Sequence, residues 1–353
     1  MPKPLLKAAL ALVSTLLFSS CATQHTSIPA GSEQNRSDWM RGKWGVMTHY
    51  LADWQSHEHN IPMSPEMWNQ MVDNFDVEGL ADQIKSTGAS YHFLTVAQGS
   101  SYFISPNAAW EKYFSNGTNK ASRRDLILDM AKALNKRGIK LIVYSTCTGP
   151  RDGRPYPEVP PNGRDHRNKE RMRNWEKVIR EYSLRWGTNI AGWWFDGCYE
   201  PNQLYNFPDA PNFQSFAAAA RAGNPNAVIA FNRGVIDRVL SITPFEDYCA
   251  GEINEVQTSL IRRATPAGLV DGARIHKLSY LGRTWGMGRP RYADLNEIVI
   301  PWTRKIVDAG GAMTWDAPIQ PSGLISEPYL TQLRAIGKAI QERDRSPAEV
   351  KPK

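Results

Sequence analysis

The sequence predicts a (β/α)8 TIM-like barrel in a single domain, and three observations carry that prediction. Short apolar runs alternate with amphipathic helical stretches from about residue 43 to residue 343, the pattern of parallel βαβ units. Eight of the apolar runs read as strands, the number a closed barrel needs. The first run is followed by Tyr50-Leu51-Ala52-Asp53-Trp54, with no glycine. A doubly wound nucleotide fold announces itself by a Gly-rich turn at that point.

In chain order, KWGVMTH at 43–49 reads as the first strand. Residues 77–87 form an amphipathic helix with Leu80, Ala81 and Ile84 on one face, stopped by Gly88. The second strand is YHFLTV at 91–96, and the helix at 124–137 ends at Gly138. IKLIVYS at 139–145 is the third strand, and 146–165 is a Pro- and Gly-rich loop over the barrel top. A long helix at 170–186 leads into AGWWFDG, 191–197. Its apolar run suits a strand covered on both faces, Asp196 arrives where the strand ends, and Gly197 frees the backbone to turn. A helix at 213–221, strands at 228–232, 247–250 and 275–281, a helix at 296–309, a strand at 312–315 and a helix at 328–343 complete the series. No C-terminal β-sandwich is expected after it.

The apolar fraction of 41% and the 12 Trp support a real core and exclude a disordered chain. The net charge is +7, much of it from Arg164 to Arg180. Such a run reads as a solvated helix face, or as a footprint for an acidic partner such as a sulfated glycan. No nucleic-acid fold signature accompanies it, so no nucleic acid is expected as a partner. Residues 1–20 read as a signal peptide: Lys3 and Lys7 precede an apolar stretch too short for a membrane span. The stretch ends on Cys21 and resembles a bacterial lipoprotein signal. Lipidation of Cys21, export, and anchoring of the chain to the bacterial cell envelope are therefore expected. Residues 21–38 read as a flexible tether, 39–345 as the catalytic domain and 346–353 as a tail. Cys147, Cys198 and Cys249 lack metal-ligand spacing. His57, Glu58 and His59 are adjacent and do not make a site alone. No metal or cofactor is expected.

The predicted strand ends carry His49, Gln98, Ser145-Thr146, Asp196, Asn232-Arg233, Glu252 and Asp316, with aromatic residues interleaved. Polar groups among aromatic platforms suit a carbohydrate site, because rings stack on sugar C–H faces while polar groups bind hydroxyls. Glycoside cleavage needs two carboxyl groups, and Asp196 with Glu252 is the natural pair. Trp54, Tyr144, Trp194 and Trp285 are candidate walls. Arg233 is a candidate for an anionic substituent or for pairing with Asp196 or Asp247.

These residues carry a resemblance. KWGVMTHY, FDVEGLADQIKSTGASYHFL, RRDLILDMAKALNKRGIKLIVYS, WWFDG, DYCAGE and Thr284-Trp285-Gly286 resemble, in order, segments of glycoside hydrolase family 29, the α-L-fucosidases. The likeness spans about residues 41–343. It implies an exo-acting retaining glycosidase with Asp196 as nucleophile and Glu252 as acid/base, Glu255 being its nearest rival. It also implies that His49 touches a sugar hydroxyl, and that an oligosaccharide or glycoconjugate is the substrate. The likeness departs where the family carries His-His-Asp-Gly, here Gln98-Gly99-Ser100-Ser101. The closing strand reads Trp315-Asp316-Ala317-Pro318, which adds a third carboxylate. A glycosidase for another sugar, galactose-like or sulfated, and a sugar-binding lipoprotein without catalysis are the alternatives.

Overall fold

The computed structural model describes residues 35–149, 167–255 and 264–345. The expected signal peptide, Cys21, most of the tether, the tail at 346–353, Arg164 and most of the loop at 146–165 lie outside those residues. Residues 35–38, expected as the end of the tether, are tied to the barrel. The Asn35 Nδ2 donates to Gly272 O at 2.9 Å, Arg36 Nε donates to Pro225 O at 2.9 Å, and Ser37 is fully buried.

Seven parallel strands form one sheet: β1 (Lys43–Thr48), β2 (Tyr91–Thr95), β3 (Lys140–Thr146), β4 (Gly192–Asp196), β5 (Val228–Phe231), β8 (His276–Tyr280) and β9 (Ala312–Asp316). Their order is β5-β4-β3-β2-β1-β9-β8. A small antiparallel pair, β6 (Leu269–Val270) with β7 (Ala273–Arg274), sits apart from that sheet.

The strand expected at 247–250 is not a regular strand, and the reason is chemical. The outer N–H groups of β5 find side-chain oxygens where a neighbouring strand would offer carbonyls. Phe231 N–H donates to Glu246 at 2.7 Å and Ile229 N–H to Asp247 at 2.9 Å. Gly251 then takes a positive φ of 69°, pressed so close to His276 O that a Cβ would stand 2.0 Å from it. The segment still closes the ring. Asp247 N–H donates to Ile229 O, and isolated bridges join Tyr248 to Arg274 and Glu252 to Leu278. The result is a (β/α)8-type barrel with an irregular sixth stave. Enclosure pushes the Glu246 carboxyl up to about 7 despite its backbone donors.

Strand alternation divides the core into two layers. Met47, Tyr91, Phe93, Ile142, Tyr144, Trp194, Val228, Ala230 and Leu278 fill the barrel. Their neighbours Val46, Leu94, Val143, Trp193, Phe195 and Ile229 pack outward under the helices. Gly45 is small so that the Tyr91 ring can lie inside, where a Cβ would approach it to 2.2 Å. The Tyr91 hydroxyl meets Thr314 Oγ1 at 3.0 Å, which in turn meets His276 Nε2 at 2.8 Å.

The covering helices include α3 (Val77–Thr87), α5 (Leu126–Lys136), α6 (Lys169–Trp186), α8 (Phe213–Ala220), α9 (Val299–Asp308) and α10 (Glu327–Arg345). They pack on one another as α10·α3, α3·α5, α6·α8 and α10·α9. Asp76, Asp125, Asn168 and Asn212 cap the starts of α3, α5, α6 and α8 by accepting a backbone N–H. Four further helices escape the sequence reading: α1 (Ala52–His59), α2 (Pro65–Asp73), α4 (Ala108–Phe114) and α7 (Pro201–Leu204). No helix among the described residues is long and apolar enough to cross a membrane.

Candidate active site

The seven strands of the main sheet are parallel, so their C-terminal ends gather on one face, where the loops leave room for a site. A pocket of about 230 Å³ opens there, lined by His49, Trp54, Gln98, Tyr144, Trp194, Asp196, Tyr199, Glu252 and Trp285, among others.

Asp196 is the last residue of β4 and is half-buried. Its Oδ2 accepts from the Tyr144 hydroxyl at 2.6 Å, and its Oδ1 accepts from Asn232 Nδ2 at 2.8 Å. The same Asn232 nitrogen donates to Glu252 Oε2 at 2.6 Å. The two carboxyl oxygens therefore stand no more than 5.4 Å apart. Asn232 lies just beyond β5, and the irregular sixth stave carries Glu252. Burial and then the nearby Asp196 charge push the Glu252 carboxyl up to about 7, against the pull of Asn232 and His49. Glu255 points elsewhere. It is exposed and pairs with Arg291 at 2.7 Å.

Gln98 lines the pocket, and its Nε2 donates to the Tyr144 hydroxyl at 2.6 Å, so amide, phenol and carboxylate form one relay ending on Asp196. Burial and the Asp196 charge hold the Tyr144 phenol well above its ordinary range, keeping it a donor. Trp194 stacks on Tyr144 at 5.2 Å and 22°, and its indole N–H is spent on Ala250 O at 3.0 Å. It offers the pocket a ring and no hydrogen bond.

On the opposite wall, His49 Nδ1 meets Asp316 Oδ1 at 2.8 Å. A carboxylate only accepts, so Nδ1 carries the proton and donates. Asp316 also accepts from Gly286 N–H at 2.5 Å and is fully buried. The sequence reading placed Asp316 against the substrate. It is instead absent from the pocket wall, and it holds His49 and the Trp285-bearing turn in place. Trp54 lies 4.7 Å from the His49 ring and Trp285 6.2 Å, and both tryptophans line the pocket. Arg233 does not line it: the side chain is exposed. Asp247, proposed as its partner, is taken by Arg221 and by Arg36 at 3.4 Å.

Sequence reading missed Met287 in the wall, and it did not single out as walls Tyr199, one of the interleaved aromatic residues, or Thr284, beside Trp285. They sit on loops, where periodicity gives no signal. Asn232 appeared among the strand ends, and its bridging position follows from being next after β5. The three described cysteines are buried and free. Among the described residues no group of three or more His, Cys, Asp or Glu could hold a metal.

The α-L-fucosidase family model matches residues 22–344. No curated protein matches the chain. Among solved structures, the endo-fucoidan hydrolase P5AFcnA of glycoside hydrolase family 107 superposes with a TM-score of 0.64 at 15% identity. That match covers 90% of this chain and 96% of the other. A second family 107 endo-fucoidan hydrolase, MfFcnA9, gives 0.67 at 21% identity over 88% of this chain, which spans 65% of the relative. The α-L-fucosidase isoenzyme 1 from Paenibacillus thiaminolyticus gives 0.60 at 18% identity, over 90% of this chain and 79% of that one. At such identities these likenesses speak to the fold, whereas the family model covers most of the sequence. The chain belongs to the α-L-fucosidase family, glycoside hydrolase family 29, and is a glycoside hydrolase.

Proposed function

We propose that the protein is an exo-acting, retaining α-L-fucosidase-type hydrolase with Asp196 as nucleophile and Glu252 as acid/base. The observation that carries this reading is the Asn232 bridge, which holds Asp196 Oδ1 and Glu252 Oε2 no more than 5.4 Å apart. A retaining pair stands roughly 5–5.5 Å apart, whereas an inverting pair needs about 6.5–9.5 Å for a water.

In the first step Asp196 attacks the anomeric carbon while Glu252 delivers its proton to the departing oxygen. The C–O bond to the leaving group breaks and an ester to Asp196 forms. Tyr144 and Asn232 aim the Asp196 oxygens, and substrate entry displaces at least one of those bonds. Esterification removes the Asp196 negative charge, which is one of the causes holding the Glu252 carboxyl high. Glu252 then becomes a stronger acid and a stable carboxylate, suited to take a proton from water in the second step. His49, its Nδ1 committed to Asp316, turns Nε2 to a sugar hydroxyl. Trp54, Trp194 and Trp285 pack its ring.

Fucose is favoured by family membership, although Gln98 replaces the family's first histidine and binds Tyr144 instead. A panel of aryl glycosides tests the reading. α-L-Fucoside hydrolysis by the parent, with a loss of about 10⁴-fold or more in Asp196→Ala, supports it. Undiminished hydrolysis by Asp196→Ala ends it. We further propose that a lipid on Cys21 tethers the barrel to the cell envelope. Membrane association and lipid labelling that persist in Cys21→Ser would refute that proposal.

A further inference from the structure

One seam of the barrel lacks a backbone ladder. Among the described residues a single backbone bond joins β5 to the sixth stave, Asp247 N–H donating to Ile229 O at 2.9 Å. The other edge of the stave is well held. Arg274 N–H donates to Asp247 O, Cys249 N–H to Arg274 O, Leu278 N–H to Gly251 O and Ile253 N–H to Leu278 O. The open seam runs through the reaction site. Asn232, next after β5, reaches across it to Glu252 on the stave, 2.6 Å from Nδ2 to Oε2. Asn232 Oδ1 accepts from Gly234 N–H at 3.1 Å, which leaves both Nδ2 hydrogens for the two carboxyl groups.

Glu246 closes the pocket end of this seam from outside the pocket. Its Oε1 accepts from the N–H of Phe231, the last residue of β5, at 2.7 Å. Its Oε2 accepts from Ser241 Oγ at 2.8 Å and from Ile242 N–H at 2.7 Å. One buried carboxyl thus ties the end of β5 to the returning 241–242 turn. A carbonyl on a regular strand would meet the Phe231 N–H without enclosing an acid, whose burial is costly. The side chain instead acts as a spacer: beyond Asp247 the stave leaves the β5 edge, and the residues flanking Glu252 bond on the β8 side. We infer that Glu246 is a positioning residue for the reaction: by fixing Phe231 it holds the adjoining Asn232 at the reach that bridges Asp196 and Glu252. The inference rests on the reading of those two carboxyl groups as the reacting pair. Only the carboxylate meets all three donors at once, because a protonated acid would set its own hydrogen against one of them.

The test uses two variants of the full chain at about pH 8, above the value of about 7 to which enclosure pushes the Glu246 carboxyl. Glu246→Gln keeps the shape and loses an acceptor; Glu246→Asp keeps the charge and loses the reach. The first readout needs no activity. In chain labelled with ¹⁵N-asparagine, the Asn232 side-chain amide is identified by its loss in Asn232→Ala. Both Glu246 variants are expected to shift that signal and to speed exchange of its hydrogens by about tenfold or more. An unchanged amide in a folded variant overturns the inference. The second readout is hydrolysis of an activated aryl fucoside. Glu246→Gln is expected to lower kcat by about tenfold or more with KM within about twofold. Added to Asn232→Ala, it should change kcat by less than about twofold. A full effect in that background, or a loss of stability in denaturant melts with kcat intact, overturns the positioning role. Inertness of the parent on every fucoside would refute the hydrolase reading instead, and the amide signal then decides the positioning by itself.

Discussion

Asp196 and Asp316 occupy the same place in the architecture: each is the last residue of a parallel strand, and each turns toward the barrel mouth. Their surroundings separate them. Asp316 is fully buried and satisfies one histidine and one backbone N–H. Asp196 is half-buried, held by a phenol and an amide that a substrate can displace, and it stands in the pocket wall beside a second carboxyl. A carboxylate at a strand end is thus a placement and not yet a role. Access and the exchangeability of its partners decide between chemistry and scaffolding.

Removing Glu252 should sharpen that contrast most. Glu252→Gln is expected to lower kcat/KM by about 10²–10⁴-fold on glycans with unactivated leaving groups. The loss should be much smaller on activated aryl fucosides, which need no proton, and the ratio of the two losses is the readout. The same residue sets the pH profile. Its carboxyl is pushed up to about 7, so the protonated acid persists to that pH and is lost above it. Activity should fall as pH rises through about 7, and Glu252→Gln should erase that limb in initial-rate measurements. Glu255→Gln, which weakens an exposed pair with Arg291, should leave the profile intact.

Asp316→Asn should act at one remove. The amide cannot accept from both His49 and Gly286, so one bond is lost. A decrease of about 10–100-fold in kcat/KM, with the Glu252 limb unmoved, is the expected result. An effect as large as that of Asp196→Ala would break the comparison, because it would give Asp316 a direct part.

The smallest effect lies in stability. Lys277 on β8 is fully buried, its Nζ has no partner, and burial lowers its pKa to about 8. Below about pH 8 both folded and unfolded states carry the charge, and the folded state bears the full cost of enclosing it. The cost fades as pH rises from about 8 toward 10.5, because the folded state releases its proton first. Lys277→Met should therefore stabilise by about 2 kcal/mol at pH 7. Denaturant melts should show the gain shrinking between about pH 8 and 10.

The strands were legible because their residues are apolar on both faces, as in GWWFD and YHFLT. Helix α3 was legible from its spacing and its glycine stop. The sixth stave was misread because Glu246 and Asp247 do the work of backbone carbonyls, and no period in the sequence encodes that substitution. At the site, strand ends announced Asp196, Glu252, His49 and Gln98. A loop residue such as Met287 carries no such signal. Asp316 was placed in the right neighbourhood and on the wrong side of His49, a distinction that only burial reveals. Arg233 was drawn in by adjacency to Asn232, yet the chain turns it outward.

The central claim is that Asp196 forms a covalent bond to the sugar while Glu252 moves the proton. The most direct measurement is peptide mapping by mass spectrometry after reaction with a 2-deoxy-2-fluoro fucosyl fluoride, which forms the ester but hydrolyses it slowly. The account predicts a stoichiometric fluorofucosyl mass on the peptide containing Asp196, absent in Asp196→Ala. A label on the Glu252 peptide, or turnover without any label and with inverted product, would contradict it.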